Sequence, residues 1–198
     1  MISWEMNEMQ NSIWNNKYRN NNETFDEWLN RVSNGNKETR RLVQEKKFLF
    51  GGRILANRGL YKDGRKITYS NCYVLPTNDS IEDIYQTCSD LARTFSYGGG
   101  VGIDISKLRP RGAKVKNSAK STTGAVSFMD TYSLVAETIG QSGRRAALMI
   151  SLDVKHPDIE EFIDIKTDLN KITKANISVK ITDEFMQKAT GIDSNPMY

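Results

Sequence analysis

The 198-residue chain sets 28 Lys and Arg against 24 Asp and Glu and is 38% hydrophobic, enough to bury a core. A net charge of +4 suggests anionic ligands held locally and is too weak to assign nucleic-acid binding; one His and two Cys can build neither a four-ligand zinc cluster nor a disulfide scaffold. No apolar run reaches the roughly 20 residues of a membrane helix, and residues 1–8 lack a basic start or apolar signal region, so a cytoplasmic chain with no membrane partner is expected.

Residues 1–50 are Asn-rich, hold all three Trp, and predict a helical region. Trp4, Ile13, Trp14 and Tyr18 punctuate one polar helical stretch. Phe25, Trp28, Leu29 and Val32 at i, i+3, i+4, i+7 predict a second helix, and residues 39–47 a third. Aromatics at this spacing read as core, not as a binding platform. From about residue 66 strands alternate with helices. A strand is expected over 68–75. The helix over 80–97 has Ile81, Ile84, Tyr85, Cys88, Leu91, Ala92 and Phe95 on one face, capped by Asp79 or Ser80. Val101, Ile103 and Ile105 alternate as a strand, 125–139 reads as a helix, and Leu148, Ile150, Leu152 and Val154 make another strand. Pro157 opens a short helix, Ile177, Val179 and Ile181 form a strand, and Thr182 starts a last helix. Repeated βα units predict an α/β fold with a mainly parallel sheet.

Three segments could carry chemistry. On a strand, Ser70, Cys72 and Val74 share a face, so Cys72 is either a thiol looking into a pocket at the sheet edge or a small buried hydrophobe. Cys88, on an apolar helix face, reads as core. The glycines at 98, 99, 100 and 102 allow a close backbone approach or a tight turn; they precede a strand, and so make no dinucleotide fingerprint. Between 105 and 120 lie Lys107, Arg109, Arg111, Lys114, Lys116 and Lys120 with no acid among them, and residues 140–145 form a second flexible basic loop. Two such loops could jointly hold a triphosphate; the competing reading is a solvated charged surface. Single-stranded nucleic acid would want interleaved aromatics, and neither loop has one.

Taken in order, Phe50-Gly51-Gly52-Arg53-Ile54-Leu55-Ala56-Asn57-Arg58-Gly59, Ser70-Asn71-Cys72, Gly99-Gly100-Val101-Gly102-Ile103, Gly143-Arg144-Arg145-Ala146-Ala147-Leu148-Met149 and His156-Pro157-Asp158-Ile159-Glu160-Glu161-Phe162 resemble the large, catalytic subunit of ribonucleotide reductase. The resemblance runs over about residues 40–188 and is closest in wording to adenosylcobalamin-dependent (class II) members. It implies an N-terminal helical region at 1–50, the N-terminal half of a ten-stranded α/β barrel at 51–190, and a polar tail at 191–198.

The same resemblance implies reduction of ribonucleotides by thiyl-radical chemistry, with Cys72 as one of a reducing cysteine pair and Gly52, Ser70, Asn71 and Gly100 near the substrate. It implies a deoxynucleoside triphosphate effector site using Asp79 and Ser80, with Arg109 and Lys114 in a first specificity loop and Ser142, Gly143, Arg144 and Arg145 in a second. His156 is matched to a structural turn. Adenosylcobalamin or a separate radical-generating subunit, a thioredoxin-type reductant and a homodimer through helices 80–97 and 125–139 are implied as well. The radical cysteine, its Asn/Glu proton-transfer pair and the second reducing cysteine are expected on a complementary C-terminal chain or segment, and activity regulation by ATP and dATP has no seat here. An open half-barrel would expose strand edges and favour association. The alternatives are a non-catalytic deoxynucleotide-binding module and a degenerate fragment.

Overall fold

The structure, a computed structural model, describes residues 4–139, 146–168 and 170–191, in two compact units divided between Asn71 and Cys72. The first unit is helical: α1 (Glu8–Lys17), α2 (Phe25–Ser33), α3 (Lys37–Gln44), α4 (Gly52–Asn57) and a 3₁₀ turn (Leu60–Asp63). The polar residues between the aromatics act as caps. Asn7 with Gln10 and Thr24 with Glu27 form capping boxes, the Asn36 side chain accepts from the Thr39 N–H, and Asn34 ends α2 at φ 53°. Trp28, Leu29, Val32, Val43 and Leu55 are buried, with Trp4, Trp14, Tyr18, Phe25 and Phe50 packed on them. The aromatics are core, as their spacing implies. The Arg31 guanidinium binds Glu23 at 2.7 Å and donates to the carbonyls of Tyr18, Ala56 and Arg58, fastening α2 to the chain after α4. By its contacts α4 belongs to this unit, so the helical region reaches past residue 50.

The second unit holds a four-stranded parallel sheet in the order β1 (Cys72–Leu75), β2 (Gly100–Asp104), β3 (Leu148–Asp153), β4 (Ala175–Lys180). Helices α5 (Ile81–Ser96), α6 (Phe128–Ile139) and α7 (Ile159–Asp164) make the crossovers, and α8 (Asp183–Thr190) follows β4. One sheet face carries Val101, Ile103, Leu148, Ile150 and Leu152, buried against Ile84, Leu91 and Phe95 of α5, Met129 and Tyr132 of α6, and Phe162 of α7. Each such side chain contributes roughly 1.5–3 kcal/mol by leaving water. The opposite face is open: Val74 is 84% and Met149 42% exposed.

The structure trims several expected elements. The expected strand over 68–75 begins only at Cys72, because its one partner, β2, starts opposite at Gly100. Ser70 therefore lies outside the ladder. Ile81 and Tyr85, expected on the apolar face of α5, are 52% and 55% exposed. The buried stripe is Ile84, Thr87, Cys88, Leu91 and Phe95, and at about 100° per residue Ile81 and Tyr85 lie on its flank. Thr87 joins the core because its hydroxyl donates to the carbonyls of Asp83 and Pro76. Among the described residues no helix is long and apolar enough to cross a membrane.

Candidate functional site

Polar chemistry gathers at the two ends of the parallel sheet. At the N-terminal ends of the strands, Cys72 opens β1 and is register partner to Gly100 of β2. The Cys72 thiol is exposed, and Cys88 is buried, where desolvation pushes its thiol up. The reading of Cys72 as a buried hydrophobe is thus overturned. Gly98, at φ 86°, turns the chain out of α5; its N–H donates to the Phe95 carbonyl at 2.8 Å and the Gly99 N–H to the Thr94 carbonyl at 2.9 Å. A Cβ on Gly99 would lie 2.8 Å from the Thr94 methyl and 2.9 Å from the Tyr73 ring. Packing of Tyr73 and Thr94 over this turn therefore demands glycine, and it seats β2 beside Cys72.

Three further predicted substrate residues belong to the helical unit. Gly52 starts α4, and a methyl there would meet the Tyr18 hydroxyl at an ordinary 3.5 Å, so the fold itself does not require glycine. The Ser70 N–H donates to the Thr68 hydroxyl at 3.1 Å in the irregular run before β1. Asn71 is exposed, directly before Cys72.

At the C-terminal ends of β1 and β2, Asp79, Ser80, Arg109 and Lys114 come together around a cleft of about 780 Å³. Ile81, Ile84, Val115 and Phe128 supply apolar lining; Ser121, Thr122 and Thr123 supply hydroxyls; Lys114, Lys116 and Arg109 outnumber Asp79 and Glu82. Ser80 caps α5 by accepting from the Asp83 N–H, so the positive end of a 16-residue helix dipole adjoins the cleft. Asp79 is not idle. It receives the Arg109 Nε–H at 2.6 Å and the Arg109 backbone N–H at 3.2 Å, while Nη1 donates to the Lys114 carbonyl. An ionised carboxylate has about four acceptor directions, so roughly two remain. Ser142, Gly143, Arg144 and Arg145 lie outside the described residues. The chain enters that segment from Ile139, the last residue of α6, and leaves it where the Ala147 carbonyl accepts from the Val101 N–H, on the Cys72 side of the sheet.

Two buried polar residues complete this end of the sheet, and Asp158 is the one left without a role by the sequence. His156, placed as a structural turn residue, donates from Nε2 to the Leu108 carbonyl at 2.8 Å, and its Nδ1 accepts from the Asp158 N–H at 3.0 Å. Asp158 accepts from the backbone N–H groups of Arg111 and Ala125. Its only sequence signal is the His-Pro-Asp run itself.

The family described as "Ribonucleotide reductase, barrel domain" matches residues 70–195. The chain belongs to the ribonucleotide reductase family. This reductase chain is 43% identical over 126 residues to the vitamin B12-dependent ribonucleoside-diphosphate reductase of Thermoplasma acidophilum, covering 63% of the chain and 16% of that protein. It is 38% identical over 120 residues to a protein of the same description from Mycobacterium tuberculosis, covering 60% and 17%. The class Id ribonucleotide reductase alpha subunit of Actinobacillus ureae matches with a TM-score of 0.78 at 21% identity, covering 94% of the chain and 35% of that subunit. That likeness concerns the fold alone, and the four parallel strands form part of its α/β barrel. The chain spans about a sixth of the length of these two curated relatives. The described residues of this reductase chain offer a cobalamin no histidine ligand. Its one imidazole is buried with both ring nitrogens hydrogen-bonded, so it has none to offer cobalt.

Proposed function

We propose that this chain is part of a ribonucleotide reductase catalytic chain, in which Cys72 is one of two thiols that reduce the ribose and the cleft at Asp79 binds a deoxynucleoside triphosphate effector. The observation that carries the reading is the pairing of an exposed Cys72 with Gly100 at the strand ends. A sulfur there, beside a backbone without a side chain, can approach a sugar ring closely. In the proposed reaction the ribose 2′-hydroxyl leaves as water, two thiols supply two electrons, and a disulfide forms. Cys88 cannot be the second thiol, because it is packed inside the α5 stripe. That partner, like the radical cysteine, is assigned to a complementary reductase segment, and a thioredoxin-type reductant would restore the pair. The sheet unit from Cys72 onward is read as part of the first half of the barrel, and Gly52, Ser70 and Asn71 of the helical unit are candidate substrate residues by the resemblance alone. The relatives' dependence on vitamin B12 favours adenosylcobalamin over a separate radical-generating subunit as the radical source.

At the effector cleft the roles follow from charge. Arg109, aimed by Asp79, and Lys114 would take phosphate oxygens, Ser80 would sit near the sugar, and the apolar lining would take the base. Residues 142–145 would carry the effector's influence to the substrate, a coupling of typically about 1–3 kcal/mol. Exposed Ile81, Tyr85 and Leu134 on α5 and α6 suit the proposed homodimer. A second reading, a nucleotide-binding module without turnover, is favoured by the cleft being formed inside one compact unit. Both readings predict saturable binding of dATP or dTTP to the chain. They part on Cys72→Ser in the reductase assembled with its complementary segment, where the catalytic reading expects loss of thioredoxin-supported turnover and retained effector binding. Full turnover would reject it. A chain that binds no deoxynucleotide would reject both effector readings and leave the degenerate-fragment alternative.

A further inference from the structure

The cationic wall of the cleft is a hairpin that its own bonds hold weakly. Between Arg111 and Thr122 the Gly112 N–H donates to the Thr122 carbonyl at 3.0 Å, the Thr122 N–H to the Ala113 carbonyl at 2.9 Å, and the Val115 N–H to the Lys120 carbonyl at 3.0 Å. Lys114 and Ser121 pair across this stem, which carries Lys114 and Lys116 into the cleft lining. A two-stranded hairpin alone is marginal in water.

The base of the hairpin is closed from another part of the chain. Asp158 lies in the turn between β3 and α7 and is 7% exposed. Its Oδ1 and Oδ2 accept from the Arg111 N–H at 3.0 and 3.1 Å, and Oδ2 also accepts from the Ala125 N–H at 3.0 Å. One carboxylate therefore grips the residue that enters the hairpin and the residue just beyond its exit. Gly124 makes this possible: its φ is 95°, and a Cβ there would lie 2.8 Å from both the Arg111 nitrogen and Asp158 Oδ2. His156 fixes the clamp from behind, accepting from the Asp158 N–H and donating to the Leu108 carbonyl ahead of the hairpin. The tautomer, with its proton on Nε2, follows from those partners.

We propose that Asp158 is a positioning residue for the cleft: it sets the hairpin's angle at its base and so places Lys114 and Lys116 where a ligand's phosphates lie, without touching the ligand. The inference rests on reading the cleft as a nucleotide site. A carboxylate suits the position because both oxygens only accept, whereas an Asn amide would turn donor hydrogens towards one of the gripped N–H groups.

Amide hydrogen exchange and dATP and dTTP binding to the 198-residue chain test the proposal together. In the wild-type chain, Arg111, Gly112, Val115, Thr122 and Ala125 should share one opening transition, separate from that of the β2–β3 ladder. D158N should release their protection, leave Ile103 and Ile150 protected, and weaken deoxynucleotide binding about tenfold. G124A should give the same pattern. Hairpin amides that exchange independently of Arg111 and Ala125 in the wild type would overturn the proposal, even if neither variant folds. It also fails if D158N leaves the hairpin protected, frees β2 and β3 equally, or frees the hairpin with binding unchanged. Release of the hairpin in a chain that binds no deoxynucleotide even as wild type would reject the nucleotide reading and, with it, the role of Asp158 in ligand placement, leaving only a structural clamp.

Discussion

The two ends of the parallel sheet are built on opposite plans. At the C-terminal ends of the strands many polar side chains are engaged: Arg109 on Asp79, Lys180 and Ser106 on Asp104, His156 on Leu108, Asp158 on two backbone N–H groups. At the N-terminal ends stand an exposed thiol and a glycine turn. The first plan preorganises charge, which lowers the entropy lost when a polyanion binds. The second leaves a reactive group accessible and relies on whatever is bound, or docked, to complete the surroundings. The two faces of the sheet divide in the same way, one packed by helices and one open. A barrel segment carries this asymmetry naturally, since its inner face is finished by other strands.

The face contrast breaks most visibly on β3. Ile150→Ala should cost about 2–5 kcal/mol in urea unfolding, because Ile150 is fully buried. Met149→Ala, one residue away on the open face, should stay within about 1 kcal/mol. Similar costs for both would mean that the open face is packed in solution. The two cysteines sharpen the contrast of environments. Cys72 should react with a thiol reagent at the rate of an exposed cysteine, and Cys88 at least about 100-fold more slowly, since it requires local opening. Comparable rates would remove the basis for singling out Cys72.

Next in size is a pH effect. Burial pushes the Tyr132 hydroxyl up to about 12, opposed by its hydrogen bond with Thr77. Because the folded value exceeds the unfolded one near 10, the stabilisation is intact below pH 10 and drains away as pH rises towards 12, by on the order of 2 kcal/mol. Tyr132→Phe should remove this alkaline component from a stability–pH profile; an unchanged profile would contradict the buried placement. The smallest expected effect is at the hairpin base. Arg111→Ala removes an exposed, solvent-screened ion pair with Glu161 and should leave stability almost unchanged, because the backbone grip of Asp158 survives the change. A loss of several kcal/mol would shift the weight of the clamp from backbone to side chain.

The helices were legible because their signals are local. Thr24, Ser80 and Thr182 cap α2, α5 and α8 where the sequence placed N-termini, and the α5 core stripe follows helical spacing. What failed to show depended on distant partners. The start of β1 is set by Gly100, 28 positions on in sequence, so Ser70 could not be excluded from the strand in advance. The grip of Asp158 reaches 33 and 47 residues back, and the His-Pro-Asp run around it does not name those partners. Periodicity puts Tyr85 on the apolar face because it records spacing and not which flank a neighbour covers. At the candidate site, the resemblance implies the grouping of Cys72 with Gly100, and of Asp79 with Ser80, Arg109 and Lys114, that the structure places together. The Asp79–Arg109 pairing itself was invisible, since charge runs do not state their partners.

The most direct measurement is a single turnover of the assembled reductase without external reductant, followed by peptide mass spectrometry of the cysteines. One disulfide per deoxynucleotide formed is expected, with the Cys72 peptide linked to a cysteine of the complementary segment. Product formed while Cys72 remains a free thiol would contradict it.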